Sequence, residues 1–405
     1  MMPPVRQGQY CVCSNPEISN ALEELSMSGS KLVRFLATSM AMVLFSSVAF
    51  AADNVIKLGV VGAQSGDLAG YGIPALNAAK LVVQDINAKG GINGKQVVIM
   101  QYDDQCRPDL STNAASKAIS DGITLVMGHT CSGATKAVMP MYNSKKVIVV
   151  SPSVTAPDMT QSGEFPYFFR TIPSDDAQAR LGVDFSLDAL GAQKIAILHD
   201  KGDYGKGYAE FAKQFIEADG RAKVVFFEGI TPGAVDYTAA VKKILRSGAD
   251  TLIFGGYYPE ASKLVSSIKK NNGKINFVSE DGVKTLSFLE LAGSDAEGVY
   301  ASSSQDNSGL ALTQKAFADH QATFNAPHGQ FFEQAYAATQ ALLAAVEKTG
   351  STDDADAIAK ALRENVIETT LGPCSFDAKG DMVGAGFAMY RVVDGKYVDQ
   401  NYQKK

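Results

Sequence analysis

The chain has 405 residues, 46% of them hydrophobic and 20% charged, with 37 Gly and 14 Pro in no repeating period. That length and balance suit two globular domains and exclude a disordered or collagen-like chain. Acids outnumber bases 43 to 37, the net charge is −6, and no Lys/Arg cluster occurs, so nucleic acid is not an expected partner.

Residues 27–51 read MSGSKLVRFLATSMAMVLFSSVAFA. Lys31 and Arg34 precede an apolar run, and Ala49-Phe50-Ala51 supplies the small-x-small pattern of a signal-peptidase site. The run is shorter than the roughly 20 apolar residues a membrane span needs. Residues 1–51 are therefore expected to be a leader cleaved after Ala51, with Met27 as its true start. No Cys follows the cut, so a lipid anchor there is not expected. The mature protein should be soluble outside the cytoplasm.

Cys11 and Cys13 fall in the leader, leaving Cys106, Cys131 and Cys374. In an oxidising compartment two of these should pair. Cys106 and Cys131 each lie just beyond a strand of one expected sheet, so they are the expected disulfide. Cys374 then reads as a buried, small apolar residue.

Strand-like runs rich in Val and Ile occupy 55–61, 97–102, 124–128 and 147–151, with helical spacing at 75–88, 110–120 and 134–143 between them. Gly90-Gly91 is a stop signal for the first helix. A second series has strands at 194–199, 223–228, 251–255 and 276–279, and helices at 207–218, 237–246 and 259–271. Two β-α-β series in succession imply an α/β fold with two doubly wound, mostly parallel lobes. Pro173-Ser174 reads as the crossover. Helices at 310–323, 330–348 and 355–364, then a hairpin of 387–393 and 396–402 about Asp394-Gly395, should return to complete both lobes. The expected division is 52–173 plus 303–376 for lobe 1, and 174–302 plus 377–405 for lobe 2.

Catalytic signatures do not appear. There is no G-x-S-x-G elbow, P-loop or H-E-x-x-H, and Gly62-Ala63-Gln64-Ser65-Gly66 is not a dinucleotide fingerprint. No cofactor or metal is therefore expected. His199-Asp200, at a strand end, is the best remaining polar pair, and an exported enzyme would have to work through it. What remains is binding. Doubly wound sheets hold ligands beyond the carboxyl ends of their strands, where this chain carries Tyr71, Thr130–Gly133, Ser151–Thr155, Tyr204, Tyr257 and Asp281.

The segments VVGAQSGDLAGYG, DINAKGGINGK, YDDQC, GHTCSG, SPSVTAP, HDKGDYGKG, FFEGIT, GGYYPE and EGV, in this order across 55–394, resemble the periplasmic branched-chain amino-acid-binding proteins of ABC importers. The resemblance implies the type I periplasmic binding fold, two lobes joined by three crossing strands. It implies that Ser132, at the start of a helix, holds a ligand α-carboxylate with its hydroxyl and backbone N–H, as helix N-termini favour. Thr155 would be the second carboxylate donor. The Ser153 carbonyl and the Thr155 hydroxyl would accept from the α-ammonium.

Asp281 stands where relatives carry Glu as the ammonium's counter-ion, one methylene shorter, and Glu280 is the alternative. Tyr71, Tyr204 and Tyr257 resemble the aromatic walls, and Phe331 the apolar contact. Thr130 and Cys131 would border the side-chain pocket; Thr130 replaces a Leu of several relatives, a smaller and more polar wall.

The implied function is periplasmic capture of an aliphatic L-amino acid (Leu, Ile or Val) by hinge closure, with delivery to a membrane permease and its ATPase. The protein is expected to be a monomer and not an enzyme. Alternatives are a receptor of the same fold for another small amino acid or amide, and a sensory ligand-binding module.

Overall fold

Runs such as LVMG and IVVS have no polar face, and both are buried along their whole length, as central strands of a parallel sheet covered on both sides must be. The computed structural model describes residues 55–403. The expected signal segment and cleavage site lie outside the described residues.

In chain order the first series is β1 (Val55–Gly62), α1 (Ala69–Ala88), β2 (Gln96–Asp103), α2 (Pro108–Ser120), β3 (Leu125–Gly128), α3 (Ser132–Ser144), β4 (Ile148–Ser151), α4 (Asp158–Gln161) and β5 (Phe168–Arg170). Its strands form one sheet in the order β2-β1-β3-β4-β5, with β1–β3, β3–β4 and β4–β5 parallel. The second series is α5 (Asp175–Asp188), β6 (Lys194–His199), α6 (Asp203–Asp219), β7 (Lys223–Gly229), α7 (Thr238–Ser247), β8 (Thr251–Gly255), α8 (Tyr258–Lys270), β9 (Asn276–Ser279), α9 (Leu286–Ala292) and β10 (Tyr300–Ser304).

There follow α10 (Ala311–Phe324), α11 (Phe332–Thr349), α12 (Ala355–Glu364), a small ladder of β11 (Ile367–Thr369) and β12 (Gly372–Cys374), and the hairpin β13 (Phe387–Val393) with β14 (Lys396–Asp399). The hairpin extends the second sheet to β14-β13-β10-β9-β8-β6-β7. Its pairings are parallel from β7 to β10 and antiparallel beyond.

Each sheet lies between two helical layers. Residues of α1, α11 and α12 cover one face of the first sheet, and residues of α2 and α3 the other. The second sheet is covered by α7, α8 and α9 on one face and by α5 and α6 on the other. This is the two-lobe α/β architecture expected from the sequence. Three segments cross between the sheets, after β5, after β10 and before β13. They meet around Thr171, Gln305 and Gly386, where the Gln305 N–H donates to the Gly386 carbonyl at 3.1 Å.

Arg170, at the end of β5, is fully buried. Its guanidinium donates to the carbonyls of Val154 and Ala156, to Thr160 Oγ1 and to the Asp381 carboxylate. It thereby ties the loop after β4 to the last crossing segment.

The elements depart from expectation in an ordered way. α1 begins at Ala69 rather than residue 75, α3 at Ser132 rather than 134, and α6 at Asp203 rather than 207. Their first turns, AGYG, SG and DYGKG, are glycine-rich and read locally as loop, yet packing makes them helical. α5, β5, β10 and the β11–β12 ladder were not foreseen, and the last strand stops at Asp399, short of residue 402. The disulfide is where it was expected: Cys106 and Cys131 are bonded with Cα atoms 5.4 Å apart, and Cys374 is a buried free thiol.

Candidate functional site

The early starts of these helices bring three nominated side chains to helix N-termini that face one another across the lobes. Cys131 is the N-cap of α3 in an extended conformation, and no side chain caps this end. The first-turn N–H groups of any helix lack intrahelical partners. Ser132 is 2% exposed and its Oγ has no hydrogen-bond partner. Thr155 is fully buried, and its Oγ1 is likewise without a bond of regular geometry.

The loop carrying Thr155 is shaped by its own hydroxyls. Ser151 Oγ donates to the His129 carbonyl at 2.7 Å and accepts from the Val154 N–H at 3.1 Å, and Ser153 Oγ donates to the Thr130 carbonyl at 2.8 Å. Beneath α3, buried His129 Nδ1 sits 2.6 Å from Asp104 Oδ2, and Nε2 sits 3.2 Å from the Tyr142 hydroxyl. Thr130 turns its Oγ1 to the Ala63 N–H at 3.3 Å and lies 3.5 Å from Cys106 Sγ. Its polarity is spent on the first loop and the disulfide.

Opposite stand the residues of the second lobe. Tyr204, in the first turn of α6, donates its hydroxyl to Asp281 Oδ1 and accepts from the Gly282 N–H at 2.9 Å. Its ring stacks on that of Tyr257, the N-cap residue of α8, with centroids 5.1 Å apart. Tyr71 lies against Tyr257 at 5.9 Å and Phe331 at 5.5 Å. The lobes touch here. Tyr71 donates to the Gly282 carbonyl, Tyr258 donates to the Asp67 carbonyl, and Lys136 Nζ, paired with Asp158 at 2.7 Å, reaches Asp203 at 3.6 Å.

All the nominated residues except Thr155 and Cys131 line one cavity, joined there by Gly282. Cys131 stands behind it in the disulfide, and Thr155 faces Asp175. The walls meet with only about 10 Å³ between them.

Electrostatics single out this wall of the second lobe. Burial pushes Asp281 up to about 6, partly offset by hydrogen bonds from Tyr204 and Gln178, and its Oδ2 has no partner of regular geometry. Glu280, whose Oε1 accepts from the Gly256 N–H at 2.7 Å, is raised well above the carboxylate range by burial and by Asp175, Asp281 and Asp200. Glu280 does not line the cavity; Asp281 does.

Asp175 was not foreseen. It is the first residue of α5, fully buried, and is pushed up to about 8 by burial, with Thr155 near enough to offset part of the rise. A signal for it existed in the Pro-Ser-Asp-Asp run, a serine N-cap followed by first-turn acids. Three buried acids without a cation are costly. Their arrangement suits a positive group approached from Thr155 and Ser132. Among the described residues, no group of His, Cys, Asp and Glu could hold a metal ion.

His199 and Asp200 do not form a dyad. His199 Nδ1 accepts from the Lys201 N–H at 3.1 Å and Asp200 Oδ1 from the Gly202 N–H at 2.8 Å, each serving its own turn.

Comparison with known proteins agrees with the geometry. The family model described as periplasmic binding protein matches residues 55–396. The chain is 35% identical to a leucine-specific-binding protein of Salmonella typhimurium over 83% of its length and 90% of the relative's. It is 34% identical to a leucine-, isoleucine-, valine-, threonine- and alanine-binding protein of Pseudomonas aeruginosa, over 89% and 96% of the two chains.

Among solved structures, a branched-chain amino acid transporter substrate-binding protein from Streptococcus pneumoniae, in complex with isoleucine, superposes with a TM-score of 0.76. Identity is 25%, covering 85% of this chain and 99% of that one. No described helix is long and apolar enough to cross a membrane. The extent of these matches, on a two-lobe fold with converging polar and aromatic cleft walls, means that this chain belongs to the periplasmic binding protein family.

Proposed function

We propose that the chain is the substrate-capturing component of an ABC importer, taking small aliphatic L-amino acids, Leu, Ile and Val foremost. It works in the periplasm after cleavage of residues 1–51, with 52–173 plus 303–376 as one lobe and 174–302 plus 377–405 as the other. The observation that carries the reading is the meeting of unpartnered groups in one closed cleft. Ser132 Oγ comes from one lobe and Asp281 Oδ2 from the other, and Thr155 Oγ1 stands just outside the cavity against Asp175. Relatives named for leucine or for several aliphatic amino acids, and a fold neighbour holding isoleucine, support the ligand class.

In this mechanism the α-carboxylate docks on the Ser132 hydroxyl and the N-terminal N–H groups of α3, with Thr155 as second donor. The α-ammonium meets the Ser153 carbonyl and Thr155. Closure then adds Asp281 as counter-ion, with Asp175 beside it. Tyr71, Tyr204, Tyr257 and Phe331 exclude water, and Thr130 with Cys131 backs the side-chain end. Contacts from the second lobe exist only in the closed form, and that difference is what lets the ligand drive closure. The closed monomer is read by a membrane permease coupled to an ATPase, and no bond is made or broken in the ligand.

The test is calorimetry on protein unfolded and refolded to strip carried-over ligand, titrated with a panel of amino acids. Tight one-to-one binding of Leu, Ile or Val is the expected result. A panel in which only a non-aliphatic or non-amino-acid ligand binds would overturn the assignment.

A further inference from the structure

A second cavity, about 300 Å³, lies on the far side of Phe331 from the cleft. Lobe 1 supplies the loop before α11 and its first turn; lobe 2 supplies the segment before α9 and the β13–β14 hairpin. Lys284 stands on one wall, its Nζ 4.3 Å from the centre of the Tyr390 ring and 6.0 Å from that of Tyr397. Stacking over an aromatic face partly compensates a desolvated ammonium, yet no carboxylate of the described residues forms an ion pair with it. Glu333 stands on the other wall, in the first turn of α11, and pairs with no cation either.

The two charges feel each other across the space. Burial lowers Lys284, with Glu333 the main opposing influence, and burial pushes Glu333 up to about 7, with Lys284 the main one holding it down. His328, pushed down to about 4 by burial and therefore neutral, stacks on Phe317 at 3.6 Å and adds a flat apolar surface.

A Lys and a Glu held apart on facing walls of a small aromatic pocket are each incompletely compensated. One class of molecule completes both at once, a zwitterion whose carboxylate and ammonium share one carbon and whose side chain is apolar. We propose that this hinge pocket is a second, weaker binding site for a free α-amino acid, its carboxylate on Lys284 and its ammonium on Glu333. The aromatic surfaces of Tyr390, Tyr397 and His328 take the side chain.

Phe331 walls both cavities, and Gln330 Nε2 donates to Ser303 Oγ at 2.9 Å and to the Asp281 carbonyl at 3.4 Å. The pocket is also built from both lobes. Its rank as the second, weaker site rests on the reading of the cleft; a leucine event insensitive to Ser132→Ala and lost in Lys284→Gln would support the pocket even if that reading failed.

L-Leucine is the probe, titrated calorimetrically into the stripped full chain up to millimolar concentration, with Ser132→Ala marking the cleft event. The expected result is two events, the weaker in the millimolar range. Lys284→Gln and Glu333→Gln each weaken the second by about tenfold or more while the first stays within about twofold. Thermal melting checks that each variant folds, and two variants on opposite walls guard against failure of one.

A wild-type titration with no event beyond the Ser132-sensitive one overturns the proposal. So does a second event that survives both substitutions. Isocaproate, leucine without its ammonium, should fill the second site poorly; equal binding would overturn the zwitterion assignment.

Discussion

Asp281→Asn isolates the proposed ammonium contact. The substitution keeps shape and leaves an oxygen to accept from Tyr204, so the wall of the second lobe should stay intact. What it removes is the charge on the partnerless Oδ2. A hydrogen bond to a charged group contributes about 1.5–3 kcal/mol, so L-leucine affinity should fall roughly 10- to 150-fold. Isocaproate, which is leucine without its ammonium, should bind both proteins equally.

The pH dependence gives a second reading of the same substitution. Burial raises the Asp281 carboxyl to about 6, above its value of about 3.9 in an unfolded chain. For a raised acid the folded state prefers the proton. Its stabilising contribution is complete below about 3.9 and is lost as pH rises through about 6. The variant should therefore melt above wild type at pH 7 and close to it at pH 4, both without ligand. An ammonium needs the ionised form, so wild-type affinity for leucine should weaken as pH falls below about 6, approaching tenfold per unit. Asp281→Asn should flatten that slope. Calorimetry from pH 5 to 8 with thermal melts measures both. Equal losses for leucine and isocaproate, or a lower melting temperature at pH 7, would refute the reasoning. If Glu280→Gln produces the selective loss instead, the counter-ion is Glu280.

Ser132→Ala should weaken both leucine and isocaproate by roughly tenfold, since it removes a donor to the shared carboxylate; unchanged affinity would take Ser132 out of the site. Its melting temperature should hardly move, because the hydroxyl has no protein partner to lose. Reducing the disulfide, or Cys106→Ser with Cys131→Ser, should cost about 3 kcal/mol for a loop of 25 residues in the chain-entropy model. It should also loosen the start of α3. The form beginning at Ala52 should show no reactive thiol when native and one when unfolded, since burial pushes Cys374 up to about 12. Arg170→Met should destabilise by about 3–5 kcal/mol, because it leaves the Asp381 carboxylate and two loop carbonyls uncompensated. Arg170→Lys should rescue this poorly, lacking the fork that reaches four partners; full rescue would mean that charge alone matters.

Much of the architecture was legible because parallel strands covered on both sides leave an unmistakable apolar run. Two of the segments that went unread have polar interiors. β10 is YASSS, and Ser302 and Ser303 are buried all the same, between β9 and β13. α5 buries Asp175, Gln178, Asp184 and Ser186 along with its apolar residues, so no stripe marks its helical period. The site's residue types were legible through family motifs, but their placement was not. The glycine-rich starts of α1, α3 and α6 hid the fact that Tyr71, Ser132 and Tyr204 sit in first turns. Glycine is there for closeness: a Cβ on Gly72 would fall 1.9 Å from the Ala63 carbonyl oxygen, and one on Gly205 2.4 Å from that of Gly255.

The same polar interior that defeats sequence reading accounts for how the cleft could work. Closing the lobes buries Asp175, Glu280 and Asp281 together, each raised by burial and two of them by their neighbours' charge. Without a cation that closure is opposed, and the acids are relieved only by protonation or by the lobes parting. An ammonium delivered to this wall removes the opposition, while the carboxylate at its other end satisfies the free N-terminus of α3. A ligand bearing only one of these charges can do half the work. A zwitterion is thus favoured over a fatty acid or an amine of equal size through the closing step, by differential affinity for the closed state. Double substitution of Asp175 and Asp281 by Asn should accordingly shift the ligand-free protein toward closure, seen as a smaller radius in solution scattering. The same double variant should bind leucine more weakly than wild type. A ligand-free radius equal to that of wild type would show that the buried acids do not hold the lobes apart.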